Sequence, residues 1–286
     1  MRIKKSFVLT SALPSSSSDA GLFEKAAALL KNNGYETVEF YAEDDITSRC
    51  KEILKKYGLN GIFLAAGYQK KNKLNLCAAD EAERQKALAE TIHCIDAAKA
   101  CGVDTILITS GAYPGVAAEQ HSWVNLAKSV KELSDYSPET ALTMEPGDRS
   151  VDAMQLAGPT EQTVAWAKEL NSVCPAFGLT MDTSHIAQLG ERVYDALMLS
   201  AECCSHIHLA NCILTPNHPL YGDKHPLFSH PDAVYRLETL KLIASAIIQN
   251  YPSPATVSIE VINHSSNEWE GFLNILREES WFSALT

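Results

Sequence analysis

The chain has 286 residues and a hydrophobic content of 46%, enough for one large core and close to the roughly 250 residues of an α/β barrel. Its formal charge of −11 argues against nucleic acid as a partner, because a net acidic surface repels phosphate backbones. No stretch approaches the roughly 20 apolar residues of a membrane span, so a transmembrane helix is not expected.

The N-terminal run SFVLTSAL is short, broken by Ser and Thr, and followed by no A-x-A cleavage site. It reads as a first strand, KKSFVLT at 4–10, rather than a signal peptide. Asp19 is placed to cap a helix carrying Phe23, Ala27 and Leu30 on one face, and Gly34 sits where that helix must end. ETVEFY (36–41) is the second strand. Residues 45–58 form a helix closed by Gly58, and LNGIFLAA (59–66) is the third strand. A Lys-rich loop with Lys70, Lys71 and Lys73 precedes a long helix over about 79–100. VDTILITS (103–110) is the fourth strand.

A helix near 119–135 leads to the fifth strand, ALTMEP (141–146). Thr160 is the expected N-cap of the next helix, which runs to about residue 171. AFGLTMD (176–182) is the sixth strand, residues 184–201 are largely helical, and CSHIHLANC (204–212) is the seventh strand and its exit. A loop rich in Pro, His and Gly spans 213–230. Helix 231–250, the strand ATVSIEV (255–261) and a last helix over 266–284 complete the chain.

Eight strand–helix pairs follow one another without a linker. Apolar strands alternating with helices require a parallel sheet covered by helices, and eight units favour closure into a single (β/α)8 barrel over 1–286. No G-x-G-x-x-G follows the first strand and no phosphate-binding G-x-x-x-x-G-K-[ST] occurs, so the open dinucleotide fold lacks its marker. The eight cysteines form no C-x-x-C pair, and they read as reduced, mostly buried residues of a cytoplasmic protein.

The C-terminal ends of barrel strands form the active rim, so the polar residues that close apolar strands carry the information. Strand five ends in Glu145 and strand six in Asp182, with His185 three residues on. Strand seven alternates His206 and His208 with apolar neighbours, and strand eight ends in Glu260. Each alone suits a helix cap or a loop salt bridge. Four consecutive strands with one such residue each suit a divalent metal. Three carboxylates without a cation would repel one another in a low-dielectric pocket. The donor set fits Mn2+ first, with Mg2+, Co2+ and Zn2+ as alternatives.

The motifs LTMEPGD (142–148), MDTSH (181–185), HIHLANC (206–212) and VSIEV (257–261) stand in the order and at the strand ends of a known family. The chain resembles the xylose-isomerase-like barrels, in particular the sugar phosphate isomerase/epimerase group. That group includes ketose 3-epimerases, hydroxypyruvate isomerase and inosose dehydratase. The resemblance implies that Glu145, Asp182, His208 and Glu260 hold the metal. It further implies that Glu145 and Glu260 move protons on opposite faces of the substrate, and that His185 contacts a substrate oxygen. It also implies a small-molecule sugar substrate and a homo-oligomer.

The chain departs from the epimerase pattern after strand seven. NCILTPNH lacks the Arg usual there, and YGDKHPLF (221–228) instead offers Asp223 and His225. A D-x-H at this place resembles endonuclease IV, where it supplies a further zinc. The histidines which that enzyme uses at earlier strand ends are missing here. Asp223 and His225 therefore read first as substrate contacts on a loop over the site.

Tyr68, Tyr113 and Trp123 lie in or beyond rim loops and are candidate stacking surfaces for a sugar, against the alternative of loop packing. Glu39 is a candidate supporting acid. His206 is either a strand histidine bonded to the backbone or a support for the site.

The expected activity is isomerisation or epimerisation of a keto-sugar through an enediolate. Its rivals are a lyase or dehydratase using the same enolate chemistry, an endonuclease IV-like hydrolase, and a sugar-binding barrel without catalysis.

Overall fold

The computed structural model describes residues 3–251 and 255–285. Among these, eight parallel strands close into a barrel in chain order. They are β1 (Lys4–Val8), β2 (Thr37–Phe40), β3 (Asn60–Leu64), β4 (Thr105–Ile108), β5 (Ala141–Met144), β6 (Phe177–Asp182), β7 (Cys204–Leu209) and β8 (Thr256–Ile259). Closure is made by β1, which pairs in parallel with both β2 and β8, so the barrel leaves no exposed edge.

The period-two alternation of each strand sorts its side chains. Phe7, Val38, Phe63, Ile106, Met144, Met181, Ile207 and Ile259 join the layer between sheet and helices. The two methionines beside the candidate ligands therefore serve that outer interface. The alternate residues point inward, and they divide the barrel interior. Val8, Ile62, Leu64, Ala66 and Leu107 form an apolar cluster of their own. On the other side, Thr143 meets Thr180, and Ser6, Glu39, His206 and Ser258 are hydrogen-bonded to one another.

Helix ends follow local chemistry. Asp19 caps Ala20–Asn32 by accepting from the N–H groups of Gly21 and Leu22. Gly58 ends Thr47–Tyr57 with φ +57°, a left-handed conformation that costs glycine little. Thr160 is the first helical residue of Thr160–Asn171 rather than its cap. Pro159 precedes it, and the Thr160 hydroxyl instead donates to the Glu191 carboxylate.

Several boundaries differ from the sequence reading. The chain turns helical at Leu9–Ala12 and again at Ala65–Lys71, directly after β1 and β3. Lys70 and Lys71 thus stand on a helix at the rim, not in a loop. The helix expected over 231–250 starts only at Leu237, and the segment 184–201 is two helices, Thr183–Gln188 and Val193–Ser200, separated at Gly190. The eight cysteines are free and buried. Among the described residues, no helix is long and apolar enough to cross a membrane.

Candidate active site

β5 to β8 deliver Glu145, Asp182, His208 and Glu260 to one point at the C-terminal mouth. Each offers one donor atom, and the four atoms lie within 4.8 Å of one another. His208 Nδ1 is the centre of the group. It stands 2.9 Å from Glu145 Oε1, 2.8 Å from Glu260 Oε2 and 3.8 Å from Asp182 Oδ2.

The hydrogen bonding within the group is incomplete. Nδ1 is aligned on Glu145, while Asp182 Oδ2 and Glu260 Oε2 are buried without an aligned donor. Buried carboxylate oxygens without partners are costly. Two of them converging on an imidazole nitrogen and a third carboxylate form the donor set of a divalent cation. The residues present therefore fit a metal on observations independent of any resemblance.

The opposite edge of the imidazole is fixed from below. His208 Nε2 donates to Glu39 Oε2 at 2.9 Å, and Glu39 is fully buried. Its other oxygen accepts from Ser6 Oγ at 2.8 Å, from His206 Nε2 at 2.9 Å and from the Ser258 hydroxyl. The Glu39 carboxylate directs Nδ1 toward the cluster, an arrangement that orients a metal-ligating histidine. His206 bonds side chains rather than backbone, since its Nδ1 meets Thr180 Oγ1 at 2.8 Å.

Burial by itself disfavours every charge here, and the neighbours decide the outcome. For Glu39 the two imidazoles outweigh burial and hold its carboxyl well below the usual range. Burial would likewise lower the His208 value, but Glu39, Glu260 and Glu145 raise it well above that of a free imidazole. Glu145 and Glu260 are lowered by His208, Glu260 also by His225. Asp182 goes the other way, pushed up by burial and by the two glutamates despite the histidines near it.

A second group covers the first. His225 Nε2 is 2.7 Å from Asp223 Oδ1 and 3.0 Å from Ser184 Oγ, and its Nδ1 is 3.6 Å from Glu260 Oε1. Ser184 in turn donates to Asp182 Oδ1 at 2.5 Å, so one hydroxyl ties the strand-six acid to the loop after strand seven. His185 Nε2 is 3.9 Å from Asp223 Oδ1, and its buried Nδ1 has no partner. Lys70 Nζ approaches Asp223 Oδ2 from the rim at 3.3 Å. These bonds bring Asp223, His225 and Lys70 together at the mouth, Lys70 from a segment that is helical rather than the loop its sequence suggested.

The cleft above both groups has a volume of ≈ 600 Å³. Glu145, His208, Asp223, His225 and Glu260 line it, together with Tyr68.

Two candidate stacking residues are corrected. Trp123 is buried in the outer helix layer, 5.2 Å from the Trp166 ring, where it fills the gap between neighbouring helices. Tyr113 lies under the Arg149 guanidinium at 4.4 Å and bonds Glu119. Neither lines the cleft.

The sequence matches the family described as Xylose isomerase-like TIM barrel over residues 27–234, most of its length. The chain belongs to that family. Family membership accounts for the closed eight-stranded parallel barrel with helices around it. Similar solved structures include an IOLI protein with a zinc atom (TM-score 0.73, 15% identity, 99% of this chain and 98% of that chain covered). Another is D-psicose 3-epimerase with D-tagatose from Clostridium cellulolyticum H10 (TM-score 0.68, 13% identity, 99% and 98% covered). A third is 3-keto-D-glucoside 4-epimerase from E. coli (TM-score 0.66, 14% identity, 99% and 100% covered). At these identities the likeness concerns the fold. No curated protein matches the sequence.

Proposed function

We propose that this xylose-isomerase-like barrel is a divalent-metal-dependent isomerase or epimerase of a keto-sugar or related polyhydroxy carbonyl compound. The observation that carries the reading is the pair Glu145 and Glu260, which approach one imidazole nitrogen from strands three apart in the barrel. Glu145, Asp182, His208 and Glu260 would hold the metal, Mn2+ first among the candidates. When bound, the cation supplies stabilisation of the negative charge that develops on a substrate oxygen as a neighbouring C–H is broken.

The rest is the work of the chain's own groups. One glutamate carboxylate takes the proton from the carbon beside the carbonyl. The other returns a proton to the enediolate, from the opposite face for epimerisation. General acid–base help of this kind is worth roughly 10²–10⁴-fold. His225 and His185 contact substrate oxygens, and Asp223 orients both imidazoles. The fold is shared with proteins named as D-psicose 3-epimerase and 3-keto-D-glucoside 4-epimerase, which is consistent with this reading.

A second reading uses the same enolate and ends in elimination. Its support is His225, with Nε2 2.7 Å from Asp223 Oδ1 and Nδ1 3.6 Å from Glu260 Oε1, carboxylates that raise its value above that of a free imidazole against the effect of burial. An imidazolium at the mouth can give its proton to a departing hydroxyl or aglycone. Hydrolysis of the endonuclease IV type is less well supported, because β3 and β4 end in Leu64 and Ile108 with no histidine following.

The deciding experiment incubates the manganese-loaded protein with keto-sugars in heavy water. Incorporation of deuterium at the carbon beside the carbonyl, with product and substrate otherwise equal in mass, supports isomerisation or epimerisation. Loss of water or an aglycone selects the lyase. Absence of exchange with every ketose in a protein proven to hold metal would overturn both.

A further inference from the structure

The cleft has two unlike walls. The candidate metal ligands, with Asp223 and His225, stand on the β5–β8 side. Across from them Leu64, Ala66, Leu107 and the rings of Tyr41 and Tyr68 form an apolar patch, bordered by Glu43, Lys70 and Lys71. This division starts inside the barrel, where Leu64, Ala66 and Leu107 belong to the apolar cluster with Val8 and Ile62. The two tyrosines are stacked, with ring centroids 5.6 Å apart and planes 11° from parallel. The Tyr68 hydroxyl is already used, donating to Glu90 Oε2 at 2.7 Å, and the Tyr41 ring is braced by Phe63 at 5.4 Å.

A free monosaccharide does not match that wall. It carries a hydroxyl on nearly every carbon, and each one buried against Leu64, Ala66 or Leu107 without a partner is penalised. It is also small. Twelve non-hydrogen atoms at roughly 15 Å³ each fill about 180 Å³ at the density of organic solids, against the ≈ 600 Å³ of the cleft. A phosphate would draw on the two lysines at the rim rather than on the apolar patch. Lys70 is engaged by Asp223, and Glu43 lines the same cleft as Lys71.

We infer that the apolar wall is an aglycone subsite and that the substrate is a keto-sugar glycoside with a planar, apolar aglycone of the aryl class. This rests on the reading of the polar wall as a keto-sugar enolisation site. The sugar ring lies over Glu145, His208 and Glu260, and the aglycone reaches Tyr41, Tyr68 and Leu107.

The test compares methyl and phenyl 3-oxo-β-D-glucopyranoside, with D-fructose as the free ketose, by titration calorimetry on the manganese-loaded protein. The phenyl glycoside is expected to bind at least about tenfold more tightly than the methyl glycoside, from burial of its ring against the tyrosines. That ratio should fall below about threefold in Tyr68→Ala and in Tyr41→Ala, each first confirmed as folded by circular dichroism. Equal affinity for the two glycosides in the wild type overturns the proposal. So does binding of neither, or a preference kept in full by both variants. Deuterium exchange is read on the same samples. Preference without exchange would leave the subsite standing and remove the enolisation reading, and exchange without preference would do the reverse.

Discussion

Glu39 Oε2 accepts a hydrogen bond from His208 Nε2 at 2.9 Å, on the edge of the imidazole away from Glu145, Asp182 and Glu260. The contact fixes which nitrogen faces the acids. A carboxylate behind a ligating histidine also raises its basicity, and loss of such a partner weakens metal binding about 10–100-fold. Glu39→Gln should therefore bind Mn2+ about 10–100-fold more weakly than wild type, while Glu145→Ala should lose the metal altogether. Competition with a fluorescent chelator measures both. Unchanged affinity in Glu39→Gln would remove Glu39 from the site.

Trp123 and Tyr113 serve the frame of the barrel. Trp123 is buried against Trp166, so Trp123→Ala should cost about 3–5 kcal/mol of stability, as for other large-to-small changes of buried aromatics. Ligand affinity in the variant that remains folded should stay within about twofold of wild type, given the distance of such core sites from bound ligand. Urea unfolding and calorimetry with the same ketose check the two halves. A weakening of ligand binding at full stability would return Trp123 to the cleft.

The barrel was legible because its signal is repeated. Strand patterns such as ALTME and GLTMD repeat one another, and the acid that closes each apolar run stands at the same end of the barrel. The position of Glu39 carried a signal too, an acid between Val38 and Phe40 in a strand whose faces are both covered. Its partners His206, His208, Ser6 and Ser258 come from three other strands, and only closure of the sheet joins them. The aromatic residues were ambiguous for a related reason. Tyr68, Tyr113 and Trp123 all follow strand ends, but which ring turns to the cleft depends on the short helix Ala65–Lys71 and on Arg149, neither of which has a periodic signature. Asp148, in the same motif as Glu145, spends both oxygens on the backbone N–H groups of residues 150–153, a loop-holding role that an acid in sequence does not distinguish from a ligand.

Stability should depend on pH in opposite senses with and without metal. In the metal-free protein His208 has its value raised above the ordinary 6.5. A raised histidine contributes stability that is complete below about 6.5 and is lost as pH rises through the folded value. The metal must displace that proton from Nδ1, so its affinity rises with pH over the same range. One displaced proton gives about tenfold in affinity per pH unit, or roughly 2.7 kcal/mol between pH 6 and pH 8 at fixed free metal. The difference in melting temperature between loaded and metal-free protein should therefore widen from pH 6 to pH 8. A difference that is constant or shrinks would mean that His208 is not a ligand.

The roles of Glu145 and Glu260 can be separated by isotope exchange. If each glutamate serves one face of the substrate, replacing one stops the overall reaction but leaves the other able to remove its own proton. Glu260→Gln should lower net turnover by about 10²–10⁴-fold, the usual contribution of a general base. Its amide oxygen can still contact a metal, so metal content is measured on the same sample and should remain near that of wild type. In heavy water one epimer of the substrate should then exchange its hydrogen while the other does not, and Glu145→Gln should show the reverse preference. Loss of exchange from both epimers in either variant, with metal retained, would mean that a single base serves both faces. That result would move the assignment from epimerisation toward aldose–ketose isomerisation, where one carboxylate can carry the proton between adjacent carbons on the same face of a planar enediolate.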